Sequence, residues 1–135
     1  ALCTGTCERL IDDSLRYASE REQFGQAIGS FQLVQAMLAD SKAEAYASRC
    51  MLFDAAKKYD AGERTTTEAA CCKMYASETV GRIADRAVQI FGGAGYLEEY
   101  GIERFYRDVR VFRIYEGTTQ IQQTLIAKNM IKDIA

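Results

Sequence analysis

The chain has 135 residues, 48% hydrophobic and 27% charged, with a formal net charge of −2. This is the composition of one ordinary globular domain with a real core. Its basic residues are scattered among acids, which argues against nucleic acid as a partner, and no apolar stretch approaches the length that spans a bilayer.

Proline and histidine are both absent. The first absence favours long uninterrupted helices. The second removes Ser-His-Asp, Cys-His and Glu-x-x-His chemistry, so acid–base work falls to Glu, Asp, Lys, Tyr or Cys. The five cysteines, Cys3, Cys7, Cys50, Cys71 and Cys72, form no C-x-x-C pair. Two thiols sharing a helix face make a poor metal site, so no metal is expected and small buried or half-buried thiols in a reducing compartment are.

In chain order, a first helix is expected from about Cys3 to Arg21, with Cys3, Cys7, Leu10, Ser14 and Tyr17 along one stripe. REQFG, residues 21 to 25, ends it and opens a short irregular connection carrying Gly25 and Gly29. Arg21 offers a fork suited to a phosphate and Phe24 a face for a base. Equally, a helix dipole favours an arginine at that end, and Phe24 suits a bundle cap.

A second helix is expected over roughly Phe31 to Tyr59. Its columns Phe31, Leu38, Ala45, Leu52, Tyr59 and Val34, Ser41, Ser48, Ala55 repeat every seven residues, the signature of a supercoiled seam. Gly62 breaks it. Thr65 and Glu68 have the spacing of a capping box, and a third helix runs to about Phe91 with Ala69, Cys72, Ala76, Val80, Ile83, Ala87 and Ile90 inward.

IFGGAGY, residues 90 to 96, follows a helix rather than a strand, so it is a weak nucleotide-loop candidate. Gly92, Gly93 and Gly95 serve first to stop the helix. A backbone without side chains can still approach a ligand closely. Residues 97 to 110 read as a short helix with flanking loop. In RIYEGTTQIQ, residues 113 to 122, Thr119 and Gln122 again have capping-box spacing, so a last helix begins near Thr118. Glu116 lies between an apolar run and Gly117 at that helix start. It is either a solvated acid favoured by the helix dipole or a partly desolvated base.

Three long helices and one shorter one with short loops predict an all-α, antiparallel four-helix bundle, a single domain over 1–135. The chain opens without methionine and already inside a helix, so it reads as a C-terminal piece of something larger.

RxxFG after the first helix, FQ opening the second, then QIFGGAGY and RDVRVFRIYEGTTQIQ occur in an order and at separations that resemble the C-terminal helical domain of the acyl-CoA dehydrogenases. The resemblance covers about Leu10 to Ile134. It implies an FAD-dependent α,β-dehydrogenation of an acyl-CoA thioester, with Glu116 of the YEGT motif as the base that takes the α-proton while the β-hydrogen leaves as hydride to the flavin. It implies that the N–H of Glu116 holds the thioester oxygen, and that Tyr115 and Gly117 line the acyl and thioester pocket. The implied FAD contacts are Arg21, Gln23 and Phe24; Phe31 and Gln32; Gln89, Gly92 and Gly93; and Thr118 and Gln120. Some of these would serve the FAD of a neighbouring subunit, since the family builds homodimers or homotetramers on this bundle.

The resemblance further implies an electron acceptor like electron-transfer flavoprotein, and a location in the cytoplasm of a bacterium or the mitochondrial matrix of a eukaryote. The domain alone is expected to be inactive, with weak FAD affinity. Two positions depart from the pattern: Gly101 stands where relatives often carry proline, and Gln123 where many have arginine. An acyl-CoA oxidase would share the base and the flavin. A silent four-helix assembly module is the reading from another class, and the intact YEGT motif argues against it.

Overall fold

In a computed structural model, which describes residues 1–132 and 134, the chain forms α1 (Leu2–Glu20), α2 (Gln32–Asp60), α3 (Thr66–Phe91), α4 (Ile102–Asp108) and α5 (Thr119–Lys132). The architecture is the all-α bundle that the spacing predicts. Side-chain contacts give its directions. Near the start of α1, Thr4 meets Ser48 and Glu8 pairs with Arg49, so α1 and α2 are antiparallel. Glu44 binds Arg82 and Arg86, and Lys58 binds Glu68, so α2 and α3 are antiparallel too. Thr119 reaches Glu78 while Asn129 reaches Thr67, which runs α5 back along α3. α3 therefore lies between α5 and the α1–α2 pair.

The core forms where α1 and α3 face each other. Cys7, Leu10, Val80, Ile83, Ala84 and Ala87 are all essentially inaccessible, and Ile102 and Val109 close the end of the cluster. Burial pushes the Cys7 thiol up to about 12, so it packs as a small apolar group. Cys50, in contrast, is exposed. Ser41 and Ser48 of the small column on α2 are buried, and Ser48 meets Thr4 of α1.

Four details differ from the sequence reading. Ile83, Ala87 and Ile90 are buried, but Phe31 at the N-terminal edge of α2 and Val34, Leu38 and Leu52 on it are only half-buried. A seven-residue period marks the contact side of a helix without saying how much of that side one chain covers. Secondly, the stripe on the first half of α3 is turned: Ala70 is buried and Ala69 exposed. Thirdly, neither capping box forms. Glu68 pairs with Lys58 across the turn at 3.2 Å, and Thr119 gives its hydroxyl to Glu78, so Thr118 caps α5 instead, accepting from the Ile121 N–H at 3.3 Å.

Finally, the connection after α1 is ordered as a minimal hairpin, β1 (Glu22–Gln23) and β2 (Gln26–Ala27), antiparallel with Gln23 opposite Gln26. Phe24 and Gly25 form its tip, both at positive φ (54° and 80°), the combination a tight two-residue hairpin turn requires. A 3₁₀ turn over Ile28–Ser30 then leads into α2. It presses on α1 at Gly29, where a Cβ would stand 3.0 Å from the Ala18 carbonyl oxygen.

Candidate active site

The loop between α4 and α5 is built from a 3₁₀ segment, Val109–Arg113, anchored by buried Val109. The N–H groups of Ile114 and Tyr115 both donate to the Val111 carbonyl, at 2.8 and 3.1 Å. The chain then reverses through two left-handed residues, Glu116 at φ 53° and Gly117 at φ 87°. Glycine takes that conformation freely. A Cβ on Gly117 would also stand 2.5 Å from the Gln122 amide nitrogen. For a glutamate the same region costs roughly 1–3 kcal/mol, so the surroundings must impose it.

Three side chains do so. Gln122, nearly buried, donates to the Glu116 carbonyl at 3.2 Å. Lys73 of α3 donates to the Gly117 carbonyl at 2.6 Å. Glu78, also on α3, accepts from Thr119 at 2.7 Å and from Arg113 at 3.0 Å. Burial pushes the Glu78 carboxyl up, but the hydrogen bonds from Thr119 and Arg113 outweigh it and hold it below the usual carboxylate range. The Arg113 guanidinium lies over Gly81, where a Cβ would come within 3.5 Å.

Glu116 and Tyr115 line a cavity of about 450 Å³ between the start of α1, the end of α2 and the start of α3. Its walls are mostly small and apolar, Cys3, Ala55, Ala69, Cys72 and Ala76 with Leu52 and Tyr59, and Lys73 stands among them. The turned stripe on α3 thus has a cause, because Ala69, Cys72 and Ala76 face this cavity. Phe112 stacks on Tyr115 at 5.8 Å between ring centroids. Glu116 itself is exposed, so its apolar surroundings lie on one side only. Its N–H donates to no acceptor among the described residues.

A second group gathers at the opposite end of the bundle. Tyr17 stacks on Phe91 at 4.0 Å and donates to its carbonyl at 3.4 Å, tying the last turn of α1 to the last turn of α3. Gly92 ends α3 at φ 59°, and a 3₁₀ turn over Gly92–Tyr96 folds back so tightly that a Cβ on Gly95 would stand 2.7 Å from Phe91 Cβ. Arg21, Gln23, Phe24, Gln32, Gln89, Gly92 and Gly93 are exposed, and Phe31 is half-buried. Phe24, 93% exposed, meets Phe31 edge to face at 6.2 Å.

The residues picked out by sequence therefore form two groups. Arg21 through Gln32 join Gln89, Gly92 and Gly93, whereas Tyr115, Glu116, Gly117, Thr118 and Gln120 lie beside the first half of α3. Lys73 and Gln89 stand roughly 24 Å apart along the helix axis, at 1.5 Å per residue. Sequence reasoning missed Lys73, Glu78 and Arg113, and took Gln122 for half of a cap. The available signal was a pair of charged residues, Lys73 and Glu78, set in the otherwise small and apolar CCKMYASET run.

No group of three or more Cys, Asp or Glu among the described residues could hold a metal ion, and no helix among them is long and apolar enough to cross a membrane.

The chain matches a family model along almost its whole length. The family described as acyl-CoA dehydrogenase, C-terminal domain, matches residues 1–131, and the chain belongs to it. Among curated relatives, the probable acyl-CoA dehydrogenase YngJ of Bacillus subtilis is 46% identical over 132 residues, covering 98% of this chain and 35% of that protein. The caffeyl-CoA reductase-Etf complex subunit CarC of Acetobacterium woodii is 44% identical over 128 residues, covering 95% of this chain and 34% of that protein. The FAD complex of PigA superposes with a TM-score of 0.92 at 36% identity, over 96% of this chain and 34% of that one. The chain thus spans about a third of the length of these relatives.

Proposed function

We propose that this chain is the C-terminal domain of a larger FAD-dependent enzyme in which Glu116 takes the α-proton from an acyl-CoA thioester. The observation that carries the reading is the turn itself: a glutamate held in the left-handed region, at the wall of a mostly apolar cavity, with its own carbonyl and that of Gly117 tied down. A turn whose backbone is held in place presents the carboxylate from a fixed point beside the cavity. The uncommitted N–H of the same residue suits the thioester oxygen, whose growing negative charge lowers the barrier to α-proton loss. The small-walled, mostly apolar cavity suits an acyl chain, and Tyr115 and Gly117 would border the thioester.

The exposed groups at both ends of the bundle fit FAD chemically. Arg21 supplies a fork for a diphosphate. Gln23, Gln32 and Gln89 supply amides, and Phe24 and Phe31 supply flat faces for an adenine. Gly92 and Gly93 supply backbone that another group can approach, since a Cβ at either would meet nothing within 4 Å. Thr118 and Gln120 would serve the flavin beside Glu116. Bound FAD supplies the two-electron acceptor for the β-hydrogen. The separation of the two groups supports a homodimer or homotetramer in which some residues serve a neighbouring subunit's FAD.

By microscopic reversibility the Glu116 carboxyl would return the proton to the α-carbon in the reductive direction. The likeness to the caffeyl-CoA reductase subunit of an Etf complex supports this second direction, and with it an electron-transfer flavoprotein as partner.

The test is Glu116→Gln in the full-length protein. The amide keeps the shape, so FAD and acyl-CoA should still bind. It cannot accept the α-proton, so flavin bleaching by acyl-CoA in anaerobic stopped flow should slow by at least ~10²-fold. Bleaching at close to the wild-type rate would remove Glu116 as the base.

A further inference from the structure

The turn that presents Glu116 is tied to α3 at three points that the proton transfer itself does not use. Arg113, just before the turn, and Thr119, just after it, both donate to the one carboxylate of Glu78. Lys73 takes the Gly117 carbonyl between them at 2.6 Å. We infer that Lys73 and Glu78 are positioning residues, which hold residues 113–119 in the left-handed turn that sets both the carboxylate and the N–H of Glu116. The inference rests on the reading of Glu116 as the base.

The geometry assigns this task specifically. A glutamate left to itself favours negative φ; a flip of the peptide after Gly117 would turn its carbonyl away from Lys73, and a change of φ at Glu116 would move the carboxylate. Because both feet of the turn end on one carboxylate, their separation is fixed by a single rigid helix. Docking of α5 does not need these bonds. Asn129 already binds Thr67 at 3.1 Å near its far end, and Gln122 packs nearly buried at its start. Nor does the core need them, since Lys73 and Glu78 are only half-buried, away from the Leu10–Ile83 cluster.

The experiment uses the full-length, FAD-loaded protein with Lys73→Met, Lys73→Arg, Glu78→Gln and Thr119→Val. Amide hydrogen exchange is followed in peptides covering residues 111–120 and 79–90, beside the rate of flavin bleaching and the affinity for acyl-CoA. In Lys73→Met and Glu78→Gln the loop should exchange faster while the α3 core keeps its protection. Flavin bleaching should slow by about 10- to 100-fold, with acyl-CoA affinity retained in Glu78→Gln, whose side chain does not line the cavity, and Lys73→Arg should recover most of the rate. Thr119→Val removes one hydroxyl from a near-isosteric side chain, and it tests the same prediction if either charge change prevents folding. Wild-type loop exchange in these variants, or a loosened loop that still bleaches at the wild-type rate, would overturn the inference. Wild-type bleaching in Glu116→Gln would instead overturn the base assignment, and the exchange data would still decide whether Lys73 and Glu78 hold the turn.

Discussion

Glu78 and Glu44 each accept hydrogen bonds from two side chains on other segments, Thr119 and Arg113 in one case and Arg86 and Arg82 in the other. In both, burial pushes the carboxyl up, and the hydrogen bonds and nearby guanidinium groups more than offset it, leaving each below the ordinary 4.5. A depressed carboxyl contributes stability that is fully present above the unfolded value and lost as pH falls through the folded one. Melting temperature, followed by circular dichroism, should therefore fall as pH drops below about 4.5. The double variant Glu44→Gln, Glu78→Gln should melt lower at neutral pH and lose less on acidification. Parallel acid slopes for the two proteins would exclude these carboxylates as the cause.

Helix by helix, the bundle is uneven. α3 contributes Val80, Ile83, Ala84 and Ala87 to the core, each at most 1% exposed, whereas Leu38 and Leu52 of α2 are half-buried. Deleting buried carbon costs both transfer free energy and a cavity, so Ile83→Ala should destabilise by about 2–5 kcal/mol. Leu38→Ala leaves no closed cavity and should cost clearly less. Urea unfolding at protein concentrations that keep the chain monomeric measures both. Equal losses would mean that α2 is packed as deeply as α3.

At the scale of the whole molecule, the apolar surface that α2 leaves open calls for cover. Leu33 is 81% exposed, Tyr59 72% and Phe53 50%, along one 29-residue helix. On the same helix the seam residues Leu38 and Leu52 are only half-buried, so this chain covers the contact side of α2 incompletely. Together with the separation of the two site groups, this leads to the expectation that copies associate through the bundle. Analytical ultracentrifugation should show a dimer or tetramer of the full-length protein. A monomer at high concentration would refute the association, and with it the sharing of FAD contacts between subunits.

By itself, the sequence determined the number and order of the long helices, the breaks at Gly62 and Gly92, and the place of Glu116 before the last helix. These follow from local rules: hydrophobic period, the absence of proline, and glycines where φ must be positive. The family was legible too, because ordered motifs survive in one dimension. Tertiary structure alone decided which helix faces are covered, since a seven-residue repeat is the same whether its partner is a helix or a cavity. It decided the fate of the two capping boxes, because Glu68 and Thr119 find stronger partners in Lys58 and Glu78. It also brought Lys73 and Glu78, some forty residues away in the chain, against the Glu116 turn. No local pattern encodes that contact, because it depends on the angle and register at which α5 lies along α3.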